Sequence, residues 1–222
     1  MSESEPRTGG PGRLLTGAAW AILLLALWLW GREATEGPGT MAPATGDMAA
    51  AGRPPARALP PPLPPLPGAR PESLAIRGLG LRAPVEGHGL TPQGAVEPPP
   101  YQRPGAVAWY RDGTRPGSRG TALLVGHVDT ESAPAVFYDL GSLKRGDTVS
   151  VGRDDGSTAD FTVEEVAVVA KEGFDPVRVY GPRDPARAEL RLITCGGEYD
   201  RAHRTYRANV VVSAYLTGTG HR

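Results

Sequence analysis

One thiol and four imidazoles bound the chemistry open to this chain. Cys195 closes the run Leu190-Arg191-Leu192-Ile193-Thr194-Cys195 and leads straight into Gly196 and Gly197. A lone cysteine often serves as a small buried apolar side chain. Here the two glycines would leave its sulfur uncrowded, with their N–H groups free to face a substrate oxygen. An ordinary thiol is only about a few per cent thiolate near pH 7, so a nucleophilic cysteine needs a base or a cation beside it.

Four histidines compete for that place. His221 lies next to the end of the sequence and reads as frayed. His88, in Glu86-Gly87-His88-Gly89, reads as a solvated turn residue. His203 stands eight positions past Cys195 in a polar loop and reaches it only if that loop folds back. His127 ends the run that starts at Thr121, Gly126 before it permits close backbone approach, and Asp129 behind it can orient an imidazole or cap a turn. A histidine at a strand end is as readily structural as catalytic. What favours His127 is that both it and Cys195 terminate strands. Acyl transfer also develops an oxyanion, which calls for a cation or a fixed donor. Arg201, Arg204 and Arg207 follow the cysteine, and Arg207 directly precedes the apolar run Ala208–Tyr215, so the sheet would position it.

The elements that must carry these groups are short. Runs near Ser73–Ile76, Leu79–Val85, Ala106–Tyr110, Thr121–His127, Thr148–Val151, Asp160–Ala170, Leu190–Thr194 and Asn209–Leu216 are β-branched or alternate with period two. Turn residues such as Asp154-Asp155-Gly156 divide them. One short helix is expected over Pro134–Leu140, with Pro in its first turn and Gly141 past its end. Eight strands with almost no helix point to a mainly β chain, a closed eight-stranded barrel with one or two short helices.

Composition sets the organisation around that barrel. Twenty-four basic and 24 acidic residues balance to zero net charge, which argues against nucleic acid as a partner. One cysteine excludes an intrachain disulfide framework. Only two of the 24 basic residues are lysines, Lys144 and Lys171. Residues 1–13 read as a cytoplasmic N-terminus. Residues 14–30 (LLTGAAWAILLLALWLW) carry no charge, and Arg13 and Arg32 bracket them. Seventeen helical residues rise roughly 25 Å, within the range of a single membrane span, with Trp28 and Trp30 suited to the headgroup boundary. A cleaved signal peptide is the competing reading, although no small-residue cleavage site follows. Residues 31–71 hold eleven of the 24 prolines and no Phe, Tyr, Trp, Ile or Val, so they read as a Pro-rich disordered linker. Residues 72–222 then form one catalytic domain outside the membrane, where an unpaired thiol is a liability unless used.

The set Gly126-His127-Val128-Asp129-Thr130, Leu192-Ile193-Thr194-Cys195-Gly196-Gly197 and Arg207 before Ala208-Asn209-Val210-Val211-Val212 resembles the sortase family. Residues 109–130 and 135–147 are similar to actinobacterial class F members. The resemblance spans 73–216. The family's Thr-Leu-x-Thr-Cys signature reads Arg191-Leu192-Ile193-Thr194-Cys195 here, a departure at a position that is not catalytic. The order His, Cys, Arg differs from papain-like and related cell-wall peptidases, in which cysteine precedes histidine.

The resemblance implies a membrane-tethered cysteine transpeptidase. Cys195 would attack a sorting signal similar to LPXTG, His127 would be general acid and then base, and Arg207 would bond the substrate backbone or the oxyanion. Thr194, Gly196 and Asp129 would support the substrate or the tetrahedral intermediate, and residues 171–189 would shape the sorting-signal pocket. The implied partners are sorting-signal-bearing surface proteins and a peptidoglycan or other amine acceptor, with water as an alternative. No cofactor is implied, and no acidic cluster suggests calcium. Two other readings stay open. An L,D-transpeptidase combines Cys, His and Arg but needs a His-Gly-Cys core. A tethered, non-catalytic binding barrel with an inert thiol explains the anchor and the arm but not the three motifs together.

Overall fold

Apolar side chains at alternate positions force these strands to wrap around one interior. In the computed structural model, which describes residues 58–173, 175–203 and 205–221, all eight expected strands are present. They are β1 Pro71–Ile76, β2 Leu81–His88, β3 Val107–Tyr110, β4 Gly120–Val125, β5 Thr148–Arg153, β6 Ser157–Ala170, β7 Ala188–Asp200 and β8 Thr205–His221. They close in the order β1-β2-β3-β4-β7-β8-β6-β5, with β5 pairing back to β1. Two neighbours are parallel, β2 with β3 and β4 with β7, and the rest antiparallel. Closure removes the exposed strand edges that an open sheet would present. The interior is filled by Leu74, Ile76, Val107, Leu124, Phe161, Leu192 and Val212, all fully buried.

Three expectations need correction. Pro134–Leu140 is not a helix. The N–H groups of Ala135 and Phe137 donate to Val128 O at 3.0 Å and His127 O at 3.0 Å, so they cannot make helical bonds, and only a 3-10 turn at Leu140–Ser142 follows. Among the described residues the α-helix lies instead at Pro176–Tyr180 (α1), where Asp175 caps the N–H groups of Val177 and Arg178. His88 and His221 are not turn and frayed residues. His88 ends β2 with its ring mostly covered beside Glu86, and His221 pairs with Ser157 at the end of β8.

The third correction concerns the Pro-rich linker. From residue 58 onward it lies on the barrel, so the folded unit begins well before residue 72. Between Pro60 and Pro67 only Leu63 and Leu66 own a backbone N–H. Both are used: Leu63 donates to Leu216 O at 2.9 Å and Leu66 to Gly117 O at 2.7 Å. The carbonyls are taken from the other side. Tyr215 Oη donates to Pro60 O at 2.6 Å, and the buried Arg153 guanidinium donates to Pro67 O. Three residues per turn, the period of an extended proline helix, bring Leu63 and Leu66 to one side. Both pack against the barrel core. The strap meets β8 near its end and the chain just before β4, so it covers the barrel pole away from the ends of β4 and β7. Among the described residues no helix is long and apolar enough to cross a membrane. Residues 14–30 lie outside the described part.

Candidate active site

Strand register assembles the sequence-nominated groups. The parallel pair β4–β7 aligns Val125 with Ile193, and Gly126 N–H donates to Ile193 O at 3.2 Å. The chain leaves β4 there, so His127 follows two residues past the last paired position of β4 and Cys195 two residues past Ile193 on β7. Across the other edge of β7, Cys195 pairs with Asn209 of β8, which in turn pairs with Val169 of β6. Directly opposed residues share a face, so Cys195, Asn209, Arg207 and Val169 stand on the outer surface. Cys195 is exposed. Its glycines are there for reasons of space. A Cβ on Gly196 would meet Val210 Cγ2 at 2.6 Å, and Gly197 sits at φ +77° with a Cβ position 2.8 Å from Ala208 Cβ. Together they form the register break between Gly196 and Tyr199 that turns the strand away beyond the sulfur. Gly126 is equally constrained, since a Cβ would lie 2.7 Å from Phe137 and Val136.

The other nominated residues divide. His127 Nε2 donates to Pro99 O at 2.6 Å, and its ring stacks on Tyr101 with centroids 4.3 Å apart. A carbonyl partner requires that Nε2 carry the proton. Asp129 does not orient His127: its Oδ2 accepts from Tyr206 Oη at 2.5 Å, tying the β4 side of the cleft to β8. That bond, reinforced by burial, pushes the Tyr206 phenol up to about 12. Thr194 points to the interior face, 4% exposed, with its Oγ1 unpartnered, so its hydroxyl does not reach the side of the barrel that carries the thiol. Arg207 is exposed and donates from Nη2 to Asp200 Oδ2 at 3.1 Å. His203 is not folded back onto the cysteine; its Nδ1 lies 2.9 Å from the same Asp200 oxygen. Arg204 lies outside the described residues.

Several neighbours of the sulfur escaped sequence reading. Lys171, the first residue after β6, places Nζ 3.8 Å from Cys195 Sγ. Asn209 faces the sulfur from the neighbouring strand. A groove of about 820 Å³ runs on beside this face, floored by Ala167, Val169, Val211 and Ser213 and roofed by Arg178 and Val179 of the β6–β7 loop. The roof is held by a buried ion pair, Arg191 Nη2 to Glu189 Oε2 at 2.8 Å. Arg191 also donates to Gly181 O at 2.9 Å and Val179 O at 3.3 Å, while Glu189 accepts the N–H groups of Arg183 and Asp184. Burial draws the Arg191 guanidinium down from its ordinary range. It would push Glu189 up, but those two N–H groups and Arg191 outweigh it and hold the carboxylate low. The residue that departs from the Thr-Leu-x-Thr-Cys pattern is therefore the one that pins the loop over the groove.

A family model described as the Sortase domain matches residues 74–217. The chain belongs to the sortase family. Solved sortases share its fold at low sequence identity. The SrtA sortase from Actinomyces oris aligns with TM-score 0.53 and 20% identity over 73% of this chain and 88% of that one. Sortase C1 from Streptococcus agalactiae gives 0.51 and 17% over 66% and 67%. Sortase A from Corynebacterium diphtheriae, a lid mutant, gives 0.50 and 19% over 74% of each chain. No curated protein sequence matches the chain. Sortases are cysteine transpeptidases, and this one has a single cysteine to offer.

Proposed function

We propose that this protein is a membrane-anchored class F sortase that cleaves an LPXTG-like sorting signal and transfers the upstream fragment to a cell-wall amine or to water. The observation that carries this is the exposed Cys195 on the outer face of a sortase-family barrel, with His127 just past the end of the strand that pairs with β7. Cys195 Sγ attacks the scissile carbonyl, forming a C–S bond as the C–N bond breaks. His127 takes the Cys195 thiol proton, and as the imidazolium it gives the Nε2 proton now held by Pro99 O to the leaving amine, which leaves the ring neutral. An incoming amine, deprotonated by the same imidazole, then forms a new C–N bond and releases the thiolate. Arg207 steadies the substrate backbone or the oxyanion with its fixed fork of donors. In this reading residues 14–30 are the span, residues 1–13 are cytoplasmic, and the barrel is extracytoplasmic. The class F assignment rests on the similarity of segments 109–130 and 135–147 to that class.

The test is incubation of the protein with a panel of sorting peptides, with and without an amine acceptor, and mass identification of the products. Cleavage after the fourth residue of an LPXTG-like peptide, together with a Cys195-linked acyl intermediate, is expected. Cys195→Ala should bind peptide and turn over none. Cleavage by that variant, or no cleavage of any peptide in the panel, would end the proposal. Membrane fractionation of the full chain with its N-terminus intact is the check on the anchor.

A further inference from the structure

In a chain with 22 arginines and two lysines, the cation at the sulfur is a lysine. Lys171 Nζ stands 3.8 Å from Cys195 Sγ and also donates to Thr205 Oγ1 at 3.4 Å. Its backbone is fixed where β6 ends, because Lys171 N–H donates to Arg207 O at 2.9 Å. That bond continues the β6–β8 register past Ala170 and Ala208, so Lys171 and Arg207 stand on the face that also carries Cys195. The ammonium therefore arrives from one side of β8 and the sulfur from the other.

Among the described residues, the ionisable groups on β8 and after β4 that flank the sulfur are otherwise engaged. Arg207 of β8 gives its Nη2 to Asp200 at the end of β7. Tyr206, whose phenol interacts electrostatically with Cys195, donates to Asp129 after β4 and is neutral at any physiological pH. Tyr199 packs edge-on against Tyr206. His127 gives Nε2–H to Pro99 O. Among the described residues, Lys171 is the cation within hydrogen-bonding distance of Sγ.

We infer that Lys171 is the counter-ion of the Cys195 thiolate in the resting enzyme, and so a further catalytic residue of this protein. A compact ammonium suits the task better than a guanidinium. It is a point charge on a flexible stem and needs no planar partner to satisfy a fork of donors. A cation beside a thiol raises the fraction of sulfur that is ionised and ready to attack. Once the sulfur is acylated its charge is gone, and the ammonium no longer has an anion to hold. The catalytic meaning rests on Cys195 being the nucleophile of the proposed reaction; the Lys171–Cys195 pair itself does not.

The experiment is the rate of Cys195 alkylation by iodoacetamide, a small neutral reagent, in the full chain and its Lys171→Met, Lys171→Arg and Arg207→Met variants. Near pH 7, Lys171→Met should react about 3–6-fold more slowly than the parent, since an exposed pair at this distance works in a high dielectric. Lys171→Arg should stay within about 3-fold, and Arg207→Met within about 2-fold. Near pH 9.5 the Lys171→Met deficit should shrink to less than about 2-fold, because the sulfur is ionised with or without a neighbouring cation. Raising salt to about 1 M should narrow the gap near pH 7 as well. Unchanged alkylation of a folded Lys171→Met protein, or a deficit that persists equally near pH 9.5, would overturn the inference. A deficit confined to Arg207→Met would hand the role to that residue. If alkylation follows Lys171 as stated but no sorting peptide is ever cleaved, the pair stands and the proposed reaction falls.

Discussion

Arg207 donates from Nη2 to Asp200 Oδ2 at 3.1 Å, across the hairpin that β7 and β8 make beyond the cysteine. Part of its fork is thus spent on the protein, and the rest faces solvent on the Cys195 side. This separates its role from that of Lys171, which touches the sulfur. Arg207→Lys should lower kcat/KM for a sorting peptide by about 10²–10³-fold, the effect of losing one fixed oxyanion donor. Thiol alkylation should barely change. Near-parental turnover in Arg207→Ala would show that this arginine is not the donor.

The same carboxylate predicts the behaviour of the hairpin in acid. The His203 ring and then its N–H hold Asp200 down to about 2, from an ordinary value of 3.8, with Arg207 adding to the effect. The sign follows directly: a depressed folded value means stabilisation that is complete above the unfolded value and lost as pH falls through the folded one. The Asp200 contacts should persist to about pH 3 and fail near 2. Carboxyl NMR titration of Asp200 measures this, and a midpoint near 4 would contradict it.

In the proposed reaction the imidazole that moves the proton is His127. His127→Ala should cost about 10²–10⁴-fold in turnover, while His88→Ala, His203→Ala and His221→Ala stay within about 10-fold. Tyr101→Ala removes only the stacked ring and should cost about 2–10-fold, the value of one aromatic pair. A dead His203→Ala enzyme would reverse the assignment.

Removing the strap should weaken the barrel without touching the chemistry. A chain truncated to begin at Glu72 loses Leu63, Leu66 and the bonds to Leu216 and Gly117. Compared with one beginning at Arg57, its melting temperature should fall by roughly 4–8 °C, for a loss of about 2 kcal/mol. Equal melting temperatures would mean that the Pro-rich run is only laid against the surface.

Arg191 should act on substrate affinity. Arg191→Ala leaves Glu189 buried with fewer partners and should cost about 2–4 kcal/mol of stability. With Glu189→Ala added, the buried carboxylate is gone and stability should partly recover. Both variants free the roof of the groove, so KM should rise while Cys195 alkylation keeps its parental rate. A fall in kcat with unchanged KM would place Arg191 in the chemistry instead.

Much of the barrel was legible because its strands are short runs that are β-branched or alternate with period two, patterns that need no tertiary information. Cys195 and His127 were singled out as reactive types at expected strand ends, whereas β4 stops at Val125, two residues before His127, and β7 runs on through Cys195 to Asp200. The helix expected at 134–140 failed because its N–H groups found partners on His127 and Val128, a tertiary competition invisible in composition. Lys171 and Asn209 owe their places to the pairing of β6 and β7 with β8, which no local pattern encodes. The rarity of lysine in this chain was the available signal for Lys171. Arg191 was discounted as a departure from a motif. Its buried partners are a glutamate two residues away and the carbonyls of a loop, and only the folded chain brings those carbonyls to it.

Leu216, where the strap is pinned, and Asn209, opposite the cysteine, sit seven residues apart on the same strand. At roughly 3.3 Å per residue that is about 23 Å of paired β-sheet between the strap and the sulfur. Any pull on the polypeptide ahead of residue 58 enters through the strap and is met there by Leu63, Leu66, Tyr215 and Arg153. The load is shed into β5, β8 and the chain just ahead of β4 at the far pole, so it does not pass through the pairing of Cys195 with Asn209.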